Sequence, residues 1–227
     1  MHTHPVAPLL KLVNDLHDLG PGARSQNRVD LWYPPTDGIA IELGQASGGY
    51  QSLVGVTPDL TTFAKAMANG YPIAALVGKT EFMDRFAPGG GVFFAGTYNG
   101  HPLNVAAALA TIAALEDGSV HRHCADLAER AANGIAEIAA ELGITMTVAR
   151  FGSVFVPYFM EGPITSYDDL LRNDTARDIA FRQGMCDRGI FMIPTALKRN
   201  HISAAHTDAD IDRTLEAARE VLAGLAG

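Results

Sequence analysis

Lys65 is the residue of this chain whose type and setting best suit covalent chemistry. It lies within residues 61–72 (TTFAKAMANGYP), with small neighbours and apolar, strand-like runs on both sides. A lysine amine attacks a carbonyl carbon at neutral pH when burial or a nearby cation lowers its pKa, and small flanking residues let a flat aromatic aldehyde approach. The alternative for a single lysine is a place on a solvated helix face. The setting here favours an imine-forming lysine.

The neighbouring elements must hold Lys65 in a loop or a short helical turn. Residues 55–60 (GVTPDL) bring a proline-marked turn before it, and residues 72–78 (PIAALVG) are typical of a buried strand. A further motif, FFAGTYNGHP at residues 93–102, precedes a long alanine-rich helix that we predict from Pro102 to Glu116. The chemistry therefore depends on a strand, a turn and a helix that follow one another closely.

These motifs, in this order, resemble the class III aminotransferases, which are fold type I pyridoxal-phosphate enzymes, and especially their glutamate-1-semialdehyde aminomutase branch. The resemblance runs from about Gly48 to the C-terminus and includes VTPDL at 56–60 and AHTDADID at 205–212. It implies an α/β fold that combines the C-terminal portion of the large domain with the small α+β C-terminal domain. The implied domains are a divergent N-terminal segment (1–36), a partial cofactor-binding domain (37–115) and the small domain (116–227).

The resemblance also implies roles for individual residues. Lys65 matches the lysine that holds pyridoxal 5'-phosphate through an imine and then carries protons between substrate and cofactor. Thr97, which follows Gly96, matches a threonine that reaches the cofactor phosphate of the neighbouring subunit; the alternative is a turn residue that bonds its own backbone. The family therefore implies a homodimer that acts on a small-molecule amino donor and a carbonyl acceptor.

An acidic partner for the cofactor ring is the next requirement. The pyridine ring draws electrons only while its nitrogen stays protonated, and in the family a buried aspartate holds that proton. The family interval before Lys65 falls on Asp37, although Gly38 and Ile39 replace the Glu and Val of the family motif. Ile39 can still stack an aliphatic face on the ring. Because Asp followed by Gly is also a common turn signal, both roles remain open for Asp37.

Residues 1–47 depart most from the family pattern. The pair Pro34-Pro35 precedes Asp37 where the family has a tight turn into an apolar strand, and proline cannot donate to a sheet ladder. This segment is either divergent or translated from a shifted reading frame. The family's long N-terminal half, with its phosphate loop and ring-stacking aromatic residue, has no substitute here. We therefore expect an incomplete chain with weak or no activity alone; the alternative is a non-catalytic remnant that acts only through folding and dimer-type association.

Substrate choice depends on the segment after the apolar run at 190–194 (IFMIP). The family's aminomutases carry a glutamate in this segment, where the present chain has Lys198. The loss of that carboxylate favours an aminotransferase over a true aminomutase. The planar guanidinium of Arg199 is the candidate for binding a substrate carboxylate, and a solvated basic loop is the alternative.

The rest of the chain alternates helices and strands. Ser119 is a suitable N-cap for a helix that continues to Leu142. We predict two strands within 144–160 with a turn at 152–153, a helix at 174–188, short strands at 190–194 and 201–204, and a terminal helix at 208–222. This order favours a mixed sheet with helices on one face.

Composition excludes several other classes of function. A formal charge of −8 and a pI near 5.4 disfavour nucleic acid, because its phosphates require a basic patch. The chain lacks the apolar run of ~18 residues that a membrane span needs and the features of a secretory signal, so we expect a cytoplasmic protein without a membrane partner. We expect no metal site, and Cys124 and Cys186 should be buried or idle thiols in a reducing compartment.

Overall fold

The computed structural model describes residues 58–226, which fall into two compact units. One unit ends at Val120 and the other begins at His121. Asp37 and Ile39, for which the sequence predicts contacts with the cofactor ring, lie outside the described residues. The domain boundary that we place between 115 and 116 stays a prediction.

The described part of the first unit is a strand hairpin followed by helices. Its elements are β1 (Leu60–Phe63), a 3-10 segment (Lys65–Ala68), β2 (Ala75–Gly78), α1 (Thr80–Met83) and α2 (Pro102–Leu115). β1 and β2 pair in antiparallel register, with Leu60 opposite Gly78 and Phe63 opposite Ala75. Proline opens α2 because its missing N–H would have no helical partner at that position. The two strands therefore present the 3-10 segment as part of their connection.

The core of the first unit joins the hairpin to α2. Its buried members are Phe63, Met67, Ala68, Ile73, Ala75, Ala108 and Ile112. Since two of them belong to the 3-10 segment and two to α2, burial of apolar surface fixes the segment against that helix.

The second unit packs helices on a small antiparallel sheet. Its elements are most of α3 (Ser119–Glu141), then β3 (Thr147–Phe151), β4 (Val154–Tyr158), a second 3-10 segment (Asp168–Arg172), α4 (Thr175–Asp187), β5 (Asn200–His201) and α5 (Asp208–Leu225). The strand order is β3-β4-β5, with Thr147 opposite Tyr158 and Val154 opposite His201. Every residue of β4 is buried, which is expected of the central strand. Its core includes Ile135, Phe155, Phe181, Met185 and Leu222.

The helices begin at the caps that their sequences provide. Asp174 accepts a hydrogen bond from Arg177 N at 3.0 Å before α4, and Thr207 forms a reciprocal capping box with Asp210 before α5. The carboxylate of Asp210 has a lowered pKa because the Thr207 hydroxyl and backbone N–H donate to it. α3 begins at Ser119 itself, one position earlier than a Ser119 N-cap implies, and Asp117 Oδ1 accepts a hydrogen bond from Ser119 N at 2.8 Å.

The strand predictions in the last third of the chain are partly wrong. No strand forms at Ile190–Pro194, and β5 stops at His201 instead of continuing to Ala204. The sequence predicts a mixed sheet, but the strand pairs among the described residues are all antiparallel. One isolated parallel bridge joins Phe86 and Val92. The helices at 102–115, 175–187 and 208–225 and the β3–β4 hairpin agree with the sequence predictions.

Within residues 58–226 no single helix is both long and apolar enough to cross a membrane. The helices α2 and α3 reach the length and hydropathy of a membrane span only if they are counted as one segment, including the bend between Leu115 and Ser119.

Candidate functional site

Lys65 lies two residues after the end of β1, at the first position of the 3-10 segment, with Ala64 between them. Met67 and Ala68 in the same segment are buried in the core with Phe63, whereas Lys65 is exposed. The sequence context suggests a buried amine, and the structure differs because only the apolar positions of this short turn face the core. The Lys65 amine is therefore accessible to a ligand.

The backbone of Lys65 is unusual as well. Its φ is +32°, and Asn69, which closes the segment, has φ +47°. Asparagine tolerates the left-handed region, whereas lysine adopts it at a cost because its Cβ crowds the neighbouring carbonyl. Such strain persists where the surroundings determine the conformation, and it is often found at functional sites.

Helix α2 anchors the far end of the Lys65 connection. Asn104, which is 7% exposed, donates from Nδ2 to the carbonyl oxygen of Pro72 at 2.8 Å. This bond satisfies a buried amide and ties the first turn of α2 to the residues before β2. Sequence reasoning missed Asn104, because an asparagine inside a helix gives no signal of a distant partner.

Gly96 and Thr97 lie in the turn that leads into α2. Asn99 N donates to Gly96 O at 3.0 Å, and a Cβ at position 96 would lie 2.7 Å from Asn99 Oδ1. A larger residue than glycine would therefore displace the Asn99 side chain. Thr97 is exposed in this turn. The structure thus places Thr97 just before the helix that packs against the Lys65 segment.

His101 is a further polar group in this turn. It occupies the N-cap position of α2, and its ring lies 6.1 Å from that of Tyr98. Its Nδ1 atom is buried and has no hydrogen-bond partner among residues 58–226, which is rare for a polar atom in a folded protein. A histidine beside a proline gives no sequence signal of this kind, so its position is a finding of the structure.

Arg199 belongs to the second unit and is exposed on the rim of a pocket of about 280 Å³. Phe191 and Ile193 supply part of the apolar lining, and His201 and His206 lie on the polar side. Burial lowers the pKa of His201, and the positive charge of Arg199 lowers it further. The imidazole of His201 is therefore mainly uncharged at neutral pH, and Arg199 is the cation of this rim.

The two cysteines are separate from these sites. Cys124 is buried in α3, and burial raises the pKa of its thiol. Cys186 on α4 donates from Sγ to Met192 O at 3.1 Å. Among residues 58–226 no cluster of three or more His, Cys, Asp or Glu side chains could hold a metal ion.

The sequence pattern of the class-III aminotransferases matches residues 44–202 of this chain. A glutamate-1-semialdehyde 2,1-aminomutase of Thermus thermophilus is 41% identical over 178 residues, which cover 78% of this chain and 42% of the relative. A second aminomutase, from Desulfitobacterium hafniense, is 39% identical and is covered over 43% of its length. The chain thus spans less than half the length of these curated relatives.

Solved structures agree with the sequence comparison. An omega-transaminase from Sphaerobacter thermophilus superposes with a TM-score of 0.73 at 28% identity, covering 83% of this chain and 43% of that one. The fold type I architecture that the motifs imply is thereby confirmed for the matched part. The match also includes the segments that contain Lys65 and Thr97. The chain therefore belongs to the class-III aminotransferase family.

Proposed function

We propose that this chain is the C-terminal part of a pyridoxal-phosphate-dependent class III aminotransferase of the aminomutase-like branch. The observation that carries the proposal is the exposed Lys65 amine on a strained 3-10 turn, braced by α2, in a chain of this family. The family and its motifs support the cofactor, and the site residues remain proposals.

The described groups fit pyridoxal phosphate by their chemistry. The cofactor offers an aldehyde and a phosphate, and the chain offers an accessible primary amine at Lys65 and an exposed hydroxyl at Thr97. Gly96 leaves the backbone beside Thr97 free of a Cβ. The buried Nδ1 of His101, four residues after Thr97, is a further polar group that no side chain or backbone group of the described residues pairs with.

When bound, the cofactor supplies an electron-withdrawing ring that acidifies the substrate α carbon. Lys65 Nζ would hold the cofactor at its aldehyde carbon with loss of water, and would move a proton to and from the substrate α carbon once the amino donor has displaced it from the cofactor. The Thr97 hydroxyl would donate to the phosphate of the cofactor in a neighbouring subunit. Asp37 would hold the proton on the ring nitrogen and Ile39 would pack against the ring face; both lie outside the described residues. The two halves of the site would thus come from two subunits.

Arg199 is our candidate for the substrate carboxylate. Its guanidinium is exposed beside an apolar pocket, which suits an amino acid with an apolar body. Lys198 replaces the acidic residue of the aminomutase motif. For these reasons we propose transamination between a small amino donor and a carbonyl acceptor, and not the mutase reaction.

A second candidate function follows from the length of the match. The chain spans 42% of its first relative, so it can also be a remnant that folds and associates without catalysis. The two proposals differ in one property, because only an enzyme part needs the Lys65 amine to capture the cofactor.

Trapping with borohydride tests the covalent role of Lys65. The protein mixed with pyridoxal phosphate and reduced should keep one cofactor on the peptide that contains Lys65, and Lys65→Ala should abolish this adduct. Lys79→Ala is the matched control, because Lys79 is another exposed lysine of the first unit and lies outside the 3-10 segment. An adduct found on Lys79, on Lys198 or on scattered lysines would refute the assignment, and the absence of any adduct would favour the remnant.

A further inference from the structure

The proposed site makes no use of a buried ion pair on α4. Asp178 and Arg182 lie one turn apart with side chains 0% and 1% exposed, and Arg182 Nε donates to Asp178 Oδ1 at 2.6 Å. Two charges are costly to remove from water, and a buried pair contributes little net stability compared with apolar side chains of the same volume. Stability of α4 alone is therefore a weak explanation for this pair.

The pair binds the segment that leads from α4 to β5. Asp178 Oδ2 accepts a hydrogen bond from Leu197 N at 2.9 Å. Arg182 donates from Nη2 to Lys198 O at 2.7 Å and from Nη1 to Ile193 O at 3.5 Å. These bonds occupy backbone groups that would belong to a sheet ladder if the segment formed a strand.

The pair constrains Leu197 through its backbone N–H. Its φ is +64°, which is unfavourable for a residue with a branched side chain. Its side chain packs against the cluster formed by Val156, Tyr158 and Met160. The backbone bond to Asp178 and this apolar contact together determine a conformation that the leucine would otherwise avoid.

Asn173 donates to the same carboxylate oxygen of Asp178 as Leu197 does. Its Nδ2 donates to Asp178 Oδ2 at 3.2 Å, and its Oδ1 accepts from Phe159 N at 2.8 Å. The buried carboxylate of Asp178 thus accepts hydrogen bonds from the Asn173 amide, the Arg182 guanidinium and the Leu197 backbone N–H. A network with each member partnered is rigid and supports one conformation.

We propose that Asp178 and Arg182 are positioning residues for Arg199. They fix the backbone at Leu197 and Lys198, and this sets where the next residue, Arg199, stands on the pocket rim. The significance of Arg199 rests on the proposed function, whereas the fixed backbone does not.

Limited proteolysis tests the positioning on the 227-residue chain without cofactor. Trypsin cleaves after exposed lysine, but the Lys198 carbonyl must leave Arg182 before it can be attacked. In the double variant Asp178→Leu with Arg182→Met, which removes both charges and keeps apolar volume, we expect cleavage after Lys198 to rise about tenfold. The thermal midpoint, followed by circular dichroism, reports whether the variant is folded.

The matched control is Arg188→Met on the same helix. Arg188 Nε donates to Glu220 Oε2 at 2.8 Å on the protein surface, and its Nη1 donates to Gly184 O, so these bonds lie on α5 and α4 and not on the segment after α4. Its removal should leave the cleavage rate after Lys198 unchanged. An unchanged rate in a folded double variant, or an equal rise in the Arg188→Met protein, would overturn the proposal.

Hydrogen exchange on the unaltered chain decides the question if the double variant does not fold. The Leu197 amide, bonded to the buried Asp178 carboxylate, should exchange at least about a hundredfold more slowly than an unstructured amide. Exchange at the unstructured rate would overturn the proposal. Neither result depends on the Lys65 adduct, so failure of the proposed function and failure of the positioning are separately visible.

Discussion

At the scale of single residues, Lys65 combines an accessible amine with a strained backbone. The side chain is exposed, and the φ of +32° places the residue in the left-handed region. A residue without a Cβ would occupy this conformation at no steric cost. The presence of a lysine at this strained position is therefore better explained by a function of its amine than by the needs of the local backbone.

Because of this strain, we expect glycine to be more stabilising than alanine at position 65, the reverse of the usual order in a helix. The Lys65→Gly protein should be more stable than Lys65→Ala by about 1 kcal/mol, because alanine retains the Cβ that crowds a positive φ. Urea denaturation of the two variants measures the difference. Both variants lack the amine, so loss of cofactor binding does not enter the comparison.

An ordinary helical position provides the control. Ala110 is exposed in α2, and Ala110→Gly should lower the free energy of unfolding by about 1 kcal/mol. If Lys65→Gly is also less stable than Lys65→Ala, the positive φ at residue 65 is not a source of strain.

The role of a residue could be predicted from the sequence only where a short motif around it gives the signal. Lys65 and Thr97 stand in recognisable motifs, and the structure places both in the unit that α2 organises. The Asp178–Arg182 pair has the spacing of an ordinary surface ion pair on a helix. The pair is instead buried and bonded to Asn173 and Leu197, which lie outside α4, and no local sequence pattern reports such contacts.

At the scale of elements, the helices were predictable because their signals lie within a few residues. Pro102 opens α2, Asp174 caps α4, and Thr207 with Asp210 caps α5. The segment at Ile190–Pro194 looks like a strand by its apolar run but has no strand partner. Side chains of α4 take its carbonyl groups instead, and these tertiary bonds override β propensity.

The packing of α4 on α5 depends on Gly184. A Cβ there would lie 2.8 Å from Cγ1 and 3.0 Å from Cγ2 of Val221, whose β-branched side chain has little freedom to move. Gly184→Ala gains about 1 kcal/mol of helix propensity but overpacks the contact by about 1–3 kcal/mol. We therefore expect a net loss of about 1 kcal/mol in the free energy of unfolding, measured by urea denaturation.

A double-mutant cycle separates the contact from the helix effect. Val221→Ala alone should destabilise the protein, because it removes buried methyl groups. Adding Gly184→Ala to that variant should stabilise it, since the clash is gone and the propensity gain remains. If Gly184→Ala has the same effect with and without Val221, the two residues are not in contact.

At the scale of the whole molecule, a shared active site requires a second subunit. Phe93 and Tyr98 flank Thr97 and are 82% and 74% exposed, which is unusual for large apolar side chains. We expect the chain to self-associate as a homodimer through this surface, as light scattering would show. The variant Phe93→Glu should shift the mass toward the monomer, because it places a charge in the interface.

Phe191 provides the comparison for Phe93. It is equally exposed, at 82%, but belongs to the second unit, so Phe191→Glu should leave the dimer intact. A monomer at high protein concentration, with and without cofactor, would remove Thr97 from the proposed site.

The isolated 227-residue chain should capture the cofactor but turn over amino donors very slowly. Capture needs only the Lys65 amine, whereas transamination needs a clamped phosphate, a protonated ring nitrogen and an oriented substrate carboxylate. Such alignment is worth ~7–11 kcal/mol of barrier, and the chain spans only 42% of its first relative. With the same amino donor in both assays, we expect turnover on the order of a thousandfold or more below that of an intact relative. The Lys65→Ala chain gives the background rate of free cofactor. A turnover typical of an intact enzyme would refute the proposal that this chain is incomplete, and with it our interpretation of residues 1–47.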